Sequence, residues 1–168
     1  FADRPQWLHA TIRAGIWGGI VPVFIAPSPR LLPHLGDASW PWLDARWPDW
    51  PLWAMLSVSA TRGVSAFIEP RSISMPGLQW AESLHLAMVA TLSFVIAQRW
   101  RTVPALRQPL IAMLFVAFLW WGIALFFQAA AESPLLPAGT AAIFDLAAMH
   151  ALTIGFLGGT LLIMVTRI

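Results

Sequence analysis

The chain contains no cysteine and no tyrosine, and lysine is missing as well, so every basic residue is arginine. The absence of cysteine removes disulfides, c-type haem attachment, cysteine-ligated iron–sulfur clusters and thiolate catalysis together. Charge of either sign is scarce. Only 11% of residues are charged, against about 25% in a soluble domain. The isoelectric point near 11.0 reflects arginine, which does not lose its proton in proteins. It does not reflect a large net charge, which is only +2. No run of arginines forms a nucleic-acid patch, so no nucleic-acid partner is expected. There is no phosphate-cradling glycine loop, no zinc spacing and no nucleophile–base arrangement. The apolar runs are also too long, and too poor in alternation, for a membrane barrel.

What remains is apolar. Hydrophobic residues make up 58% of the chain and the mean hydropathy is +0.69. This composition defines an all-α integral membrane protein, a bundle of about five transmembrane helices embedded in a lipid bilayer. The hydropathy pattern predicts spans over 7–26, 52–68, 78–100, 110–131 and 141–165, in a single transmembrane helical domain covering 1–168. Of 14 prolines, only Pro22 falls inside a span, where it should kink the end of the first helix. The others punctuate connections, as at Pro27, Pro29, Pro48, Pro51, Pro70, Pro104 and Pro134. The chain opens on Phe1 with no signal-peptide pattern, so it is expected to be a piece of a longer fold. Arg99, Arg101 and Arg107 crowd the third-to-fourth connection, which by the positive-inside rule faces the cytoplasm. The segment 35–53 holds Trp40, Trp42, Trp47, Trp50 and Trp53 beside Asp37, Asp44 and Asp49. It reads as a loop lying along the membrane surface. The alternative reading makes it, with the apolar helix faces, a docking surface for other membrane subunits.

The informative residues are the polar ones inside the oily spans, because an ionisable group in hydrocarbon must be paired or bound to something. His9 and Arg13 lie near one end of the first span. Arg62 lies within the second, in a stripe with Ser59, Ser65 and Glu69. Glu82 and His85 fall early in the third, Gln128 late in the fourth, and Asp145 and His150 in the first half of the fifth. If successive helices alternate in direction, all of these lie toward the same side of the bundle. An arginine at mid-span costs about 2.5–3.5 kcal/mol on insertion scales. Arg62 therefore requires a carboxylate such as Glu82 or Asp145, or an anionic ligand. Glu82 and His85, three apart, can touch, as an ordinary buried pair or as a carboxylate orienting a metal-ligating imidazole. Asp145 and His150 are five apart and do not share a helical face, which argues against a relay between them. Gly15-x-x-x-Gly19 and Gly155-x-x-x-Gly159 predict close helix approach. Imidazole, carboxylate, guanidinium and thioether in a low-dielectric bundle suit haem iron, copper or a proton path better than hydrolysis.

Three stretches carry a family resemblance. His150-Ala-Leu-Thr-Ile-Gly-Phe-Leu-Gly-Gly, followed by Met164-Val-Thr-Arg167, is similar to a segment of the NnrS family of bacterial membrane proteins. So are Ile16-Trp-Gly-Gly-Ile-Val-Pro-Val-Phe with Pro29-Arg30-Leu-Leu-Pro33, and Arg107-Gln-Pro-Leu-Ile-Ala-Met-Leu-Phe-Val-Ala-Phe-Leu-Trp120. The resemblance implies a multi-pass protein of the bacterial inner (cytoplasmic) membrane, of which this chain is a middle-to-late portion. It also implies haem and copper as cofactors and a link to nitric oxide and nitrosative stress. The chain departs from the family pattern at Phe115, Pro29 and His34, where Phe115 and Pro29 replace histidines and His34 an aromatic residue. On this reading His150 and His85 are the candidate metal ligands. His9, Arg62, Arg13 and Arg167 complete the cofactor-binding candidates, the arginines at Arg13 and Arg62 neutralising propionates. The alternative is a non-catalytic accessory or structural subunit of a larger membrane complex with no cofactor, in which the histidines are satisfied core groups.

Overall fold

The computed structural model describes residues 4–26, 50–68, 76–100, 107 and 109–166. They form five helical rods, with no strand among the described residues. The first rod is α1 (Arg4–Ala14), a π-helical segment π1 (Gly15–Ile20) and α2 (Val21–Ile25). The second is α3 (Trp50–Ile68), the third α4 (Pro76–Trp100) and the fourth α5 (Pro109–Glu132). The fifth joins α6 (Ala138–His150), a second π-helical segment π2 (Ala151–Gly158) and α7 (Gly159–Thr166). α4 and α5 each begin on a proline and α6 follows Pro137. A proline is tolerated there because the first turn needs no backbone donor.

Four of the rods, over Trp7–Ile25, Gly77–Gln98, Pro109–Glu132 and Ala138–Val165, are long and apolar enough to cross a membrane. In their most apolar windows only 22% to 39% of residues are buried inside the protein. Most of their hydrocarbon surface therefore points outward, as a bilayer requires. α3 differs from the expected set of five similar spans. It has 19 residues, but Ser57, Ser59, Thr61, Arg62 and Ser65 lower its apolarity, and it is not among the four. Its first turns also correct the expected loop: Trp50–Trp53 are helical, while 35–49 lie outside the described residues. Pro22 sits just past the end of π1. The widened π turn precedes the proline and the helix continues beyond it, with the Ala26 N–H donating to the Pro22 carbonyl at 3.0 Å.

α5 is the centre of the bundle, packing against α4, α6, π2 and α7. The first rod packs against α3, and α3 against α4. Trp121 of α5 lies between Trp17 of π1, at a ring-centroid distance of 6.0 Å, and Phe156 of π2, at 5.6 Å. All three are essentially fully buried. This aromatic layer joins the first, fourth and fifth rods through contacts between residues far apart in sequence.

The glycines divide differently from their spacing. In the first rod it is Gly18, not Gly15 or Gly19, that allows close approach: a Cβ on Gly63 would lie 3.2 Å from the Gly18 Cα. In the fifth rod the expectation holds, because Gly155 faces Trp120 and Gly159 faces Ala117. A Cβ at Gly155 would sit 2.5 Å from the Trp120 Cγ and 2.8 Å from its Cβ. Gly155→Ala is therefore expected to cost about 1–3 kcal/mol by overpacking, part of it recovered in a Trp120→Ala background. Thermal unfolding of the single and double variants in detergent checks both statements.

Candidate functional site

Above the aromatic layer lies a layer of charge. Arg13 of α1 donates from Nη2 to Asp145 Oδ1 of α6 in a close ion pair. Gln128 of α5 donates from Nε2 to the same Asp145 oxygen at 3.2 Å and to Glu132 Oε1 at 3.1 Å. Glu132 Oε1 forms an ion pair with Arg62 Nη1 of α3 at 2.8 Å. The same Arg62 nitrogen meets Glu82 Oε1 of α4 at 2.7 Å. Ser65 Oγ lies 3.1 Å from that Glu82 oxygen. One continuous network thus joins all five rods at one end of the bundle. Its burial is uneven: Arg62 is 2% exposed, Glu82 14% and Glu132 19%, while Arg13 is 20% and Asp145 35% exposed. In such surroundings a guanidinium is retained only because carboxylates meet it.

Arg13 and Arg62 are thus brought into one cluster, as the alternating-helix reading expected. Glu82 is a partner of Arg62, as expected, but Asp145 is not; it pairs with Arg13. Glu132 takes the second place on Arg62 and was missed. Its signal was present in the sequence, since it stands four residues after Gln128 on the same helical face. Placing the end of the span at Ala131 excluded it by one residue.

The imidazoles form no hydrogen bond with this network among the described residues. His9 is exposed near the start of α1. His85 lies one turn beyond Glu82 and does not hydrogen-bond it. The Ser57 hydroxyl donates to the Ala54 carbonyl at 2.7 Å, so it accepts from His85 Nε2–H at 2.9 Å. That fixes the tautomer and leaves Nδ1 as the acceptor nitrogen. His85, Glu82 and Ser65 line a groove of about 490 Å³ between α3 and α4, with Leu78 and Val64 among its apolar walls.

His150 is held the opposite way. Its Nδ1 lies 2.8 Å from the Leu146 carbonyl. A carbonyl only accepts, so Nδ1 carries a proton, and in the neutral ring Nε2 then keeps the lone pair. His150 is exposed on the edge of a groove of about 710 Å³ between α5 and the fifth rod. The walls of that groove are almost wholly apolar, Met113, Trp120, Phe127 and Ile154 among them. π2 begins at the next residue. A π segment widens the helix and turns the following residues, and such segments recur at functional sites. His150 and His85 thus line different grooves, and among the described residues no three His, Asp or Glu side chains gather to hold a metal ion. Arg167, Pro29 and His34 lie outside the described residues. Phe115 packs against the core.

A family model described as NnrS protein matches residues 2–168 of the chain. None of the curated proteins and none of the solved structures compared with the chain matches it.

Proposed function

The chain belongs to the NnrS family, and from that membership we propose that it holds a haem in the groove beside His150 and serves the nitric-oxide response of a bacterial inner membrane. One observation carries the reading. His150 has its tautomer set by Leu146, keeps Nε2 as a lone pair, and stands at the edge of an apolar groove of about 710 Å³. Haem iron requires a neutral imidazole and a largely apolar slot for the macrocycle, and the donor set here fits that need. When bound, haem supplies an iron centre able to take a small diatomic ligand. The chain's own part is to orient the imidazole through the Leu146 carbonyl and to keep water from the groove with Trp120, Phe127 and Ile154. His85, with Nδ1 free, is the second candidate ligand. A copper ion with three protein donors finds no such set among the described residues, so copper is the less supported of the two cofactors.

The test is an absorption spectrum of the purified protein with and without dithionite. A Soret band in the wild type that is lost in His150→Ala, with helical content and monodispersity unchanged, is the expected result. A band of equal intensity in His150→Ala would remove the assignment of this residue.

A second reading rests on a different observation. Both guanidiniums expected to meet propionates, Arg13 and Arg62, are already engaged by the chain's own carboxylates. That arrangement supports an accessory subunit whose polar layer is structural. A colourless protein that co-purifies with stoichiometric membrane partners is its expected signature.

A further inference from the structure

The groove between α3 and α4 has a one-sided hydrogen-bonding character. Among the described residues its polar lining is Thr61, Ser65, Glu82 and His85. Each side-chain proton there is already committed within the chain. Thr61 Oγ1 donates to the Val58 carbonyl at 3.1 Å. Ser65 Oγ donates to Glu82 Oε1 at 3.1 Å or to the Arg62 carbonyl at 3.3 Å. His85 Nε2–H is taken by Ser57, whose own proton goes to the Ala54 carbonyl. What the lining has left over is acceptors. In the neutral ring His85 Nδ1 keeps a lone pair, and its ring is bonded only through Nε2 among the described residues. Glu82, ion-paired with Arg62, is a carboxylate and adds acceptor sites only.

The remaining wall is apolar, from Ala60, Val64, Leu78 and Ala81, and Val64 and Leu78 are exposed on it. The volume of about 490 Å³ falls within the range of about 300–1,000 Å³ of small-molecule sites. A quinone, ester or carboxylate would set further acceptors against this lining and leave polar atoms unmet away from water. An apolar molecule that carries a donor matches it. Depth then chooses the kind of donor. His85 stands eight residues after Gly77, where the span begins, which is about 12 Å along the helix. A lipid ammonium drawn to that depth would lose its hydration, and the carboxylate nearest in sequence, Glu82, is already paired with Arg62. A neutral hydroxyl carries no such cost.

We propose that this groove binds a lipid-soluble hydroxylic molecule of the phenol or quinol type, which donates its O–H to His85 Nδ1. Ser57 is the positioning residue, because its hydroxyl decides which ring nitrogen is left to accept. The site distinguishes a reduced from an oxidised head group, since a quinol donates and the corresponding quinone cannot. It shares no residue with the groove at His150, so the haem reading there stands or falls separately.

Nitrogen NMR of histidine-labelled protein in phosphatidylcholine nanodiscs tests this, with an alkylresorcinol and its dimethyl ether as probes. The resorcinol is a diphenol that brings no redox chemistry, and the ether keeps its shape without the donors. The His85 signal is assigned through Leu84 and Leu86, since no other histidine of the chain lies between two leucines. The resorcinol is expected to move the Nδ1 resonance in the direction of an accepted hydrogen bond, and the ether to leave it in place. By partition against empty nanodiscs the resorcinol is expected to bind about tenfold more tightly than the ether, the worth of one hydrogen bond. His85→Leu is expected to bring the two probes to equal affinity. The wild-type comparison of the probes requires no variant to fold. The proposal is overturned if both probes move the resonance alike, or if neither does. It is also overturned if phosphatidylethanolamine in the nanodisc produces the shift without any probe, which would assign the groove to a lipid ammonium.

Discussion

Arg62→Met is expected to destabilise the bundle by about 3–5 kcal/mol, the range for breaking a buried ion pair by removing one partner. The physical reason is asymmetric. Arg62 is 2% exposed and is the meeting point of Glu82 and Glu132. Removing it strands two carboxylates in a region with little water to replace the lost donor. The layer also loses the side chain that ties α3 to both α4 and α5. Arg62→Lys is expected to fall between the two extremes. An ammonium keeps the charge but lacks the planar fork that holds two acceptors in fixed directions. The informative control is Arg62→Met combined with Glu82→Gln and Glu132→Gln. If stranded charge is the source of the loss, removing the charges restores most of it, because replacing a whole buried ionic group is often close to neutral. Reversible unfolding in mixed micelles gives the comparison. A single variant as stable as the wild type would show that the charges reach water in the folded protein.

The helical class of the fold is legible because hydrocarbon leaves the backbone few options. Runs of about 20 apolar residues that must satisfy their own hydrogen bonds become helices, and the expected limits of the apolar rods lie within a few residues of the observed ones. The polar layer was legible in part. Alternating helix direction predicts that His9, Arg13, Arg62, Glu69, Glu82, His85, Gln128, Asp145 and His150 gather toward one side; the structure joins Arg13, Arg62, Glu82, Gln128 and Asp145 in one network and leaves the three histidines out of it, with Glu69 outside the described residues. Which carboxylate meets which guanidinium was not legible. Glu82 and Asp145 are both within reach of an arginine on a neighbouring helix, and only the packing order of the rods decides between them. Glu132 was lost to a boundary, since the end of a helix is the least certain part of any hydropathy pattern. The two π segments were also invisible. Glycine clusters at 15–19 and 155–159 signal that something unusual is tolerated there, but they fit equally well with close helix packing. In the first rod only Gly18 has that role.

The same limit applies to the imidazoles. Nothing in the spacing of Glu82 and His85 reveals that Ser57, 28 residues earlier on another helix, takes the histidine instead. Nothing in the run from Ala141 reveals that the Leu146 carbonyl holds His150. That bond is a one-turn contact within the helix, which sequence spacing allows but does not select. Tautomer is set by one hydrogen bond, and it decides whether a histidine offers a lone pair to a ligand. Here the two candidate ligands are left with opposite nitrogens free, which is a distinction that only the three-dimensional arrangement supplies.

Trp121→Ala is the second large effect expected, and its size depends on what drives packing in a bilayer. Trp121 is fully buried between Trp17 and Phe156. In a soluble core, truncating such a residue costs about 3–5 kcal/mol. Between membrane helices the transfer-from-water part is absent, since lipid is as apolar as the core, and the loss is mainly of dispersion contacts. The lower end, about 3 kcal/mol, is therefore expected. Trp121→Phe separates packing from polarity. The indole Nε1 of Trp121 has no hydrogen-bond partner, so phenylalanine removes an unsatisfied donor while keeping a ring against both neighbours. Its cost should stay below about 1.5 kcal/mol. A large loss in both variants would instead mean that the indole nitrogen has a partner in the folded protein, most simply a buried water, and that the aromatic layer continues the polar layer above it. The ratio of the two losses in unfolding experiments decides between a dry seam and a hydrated one.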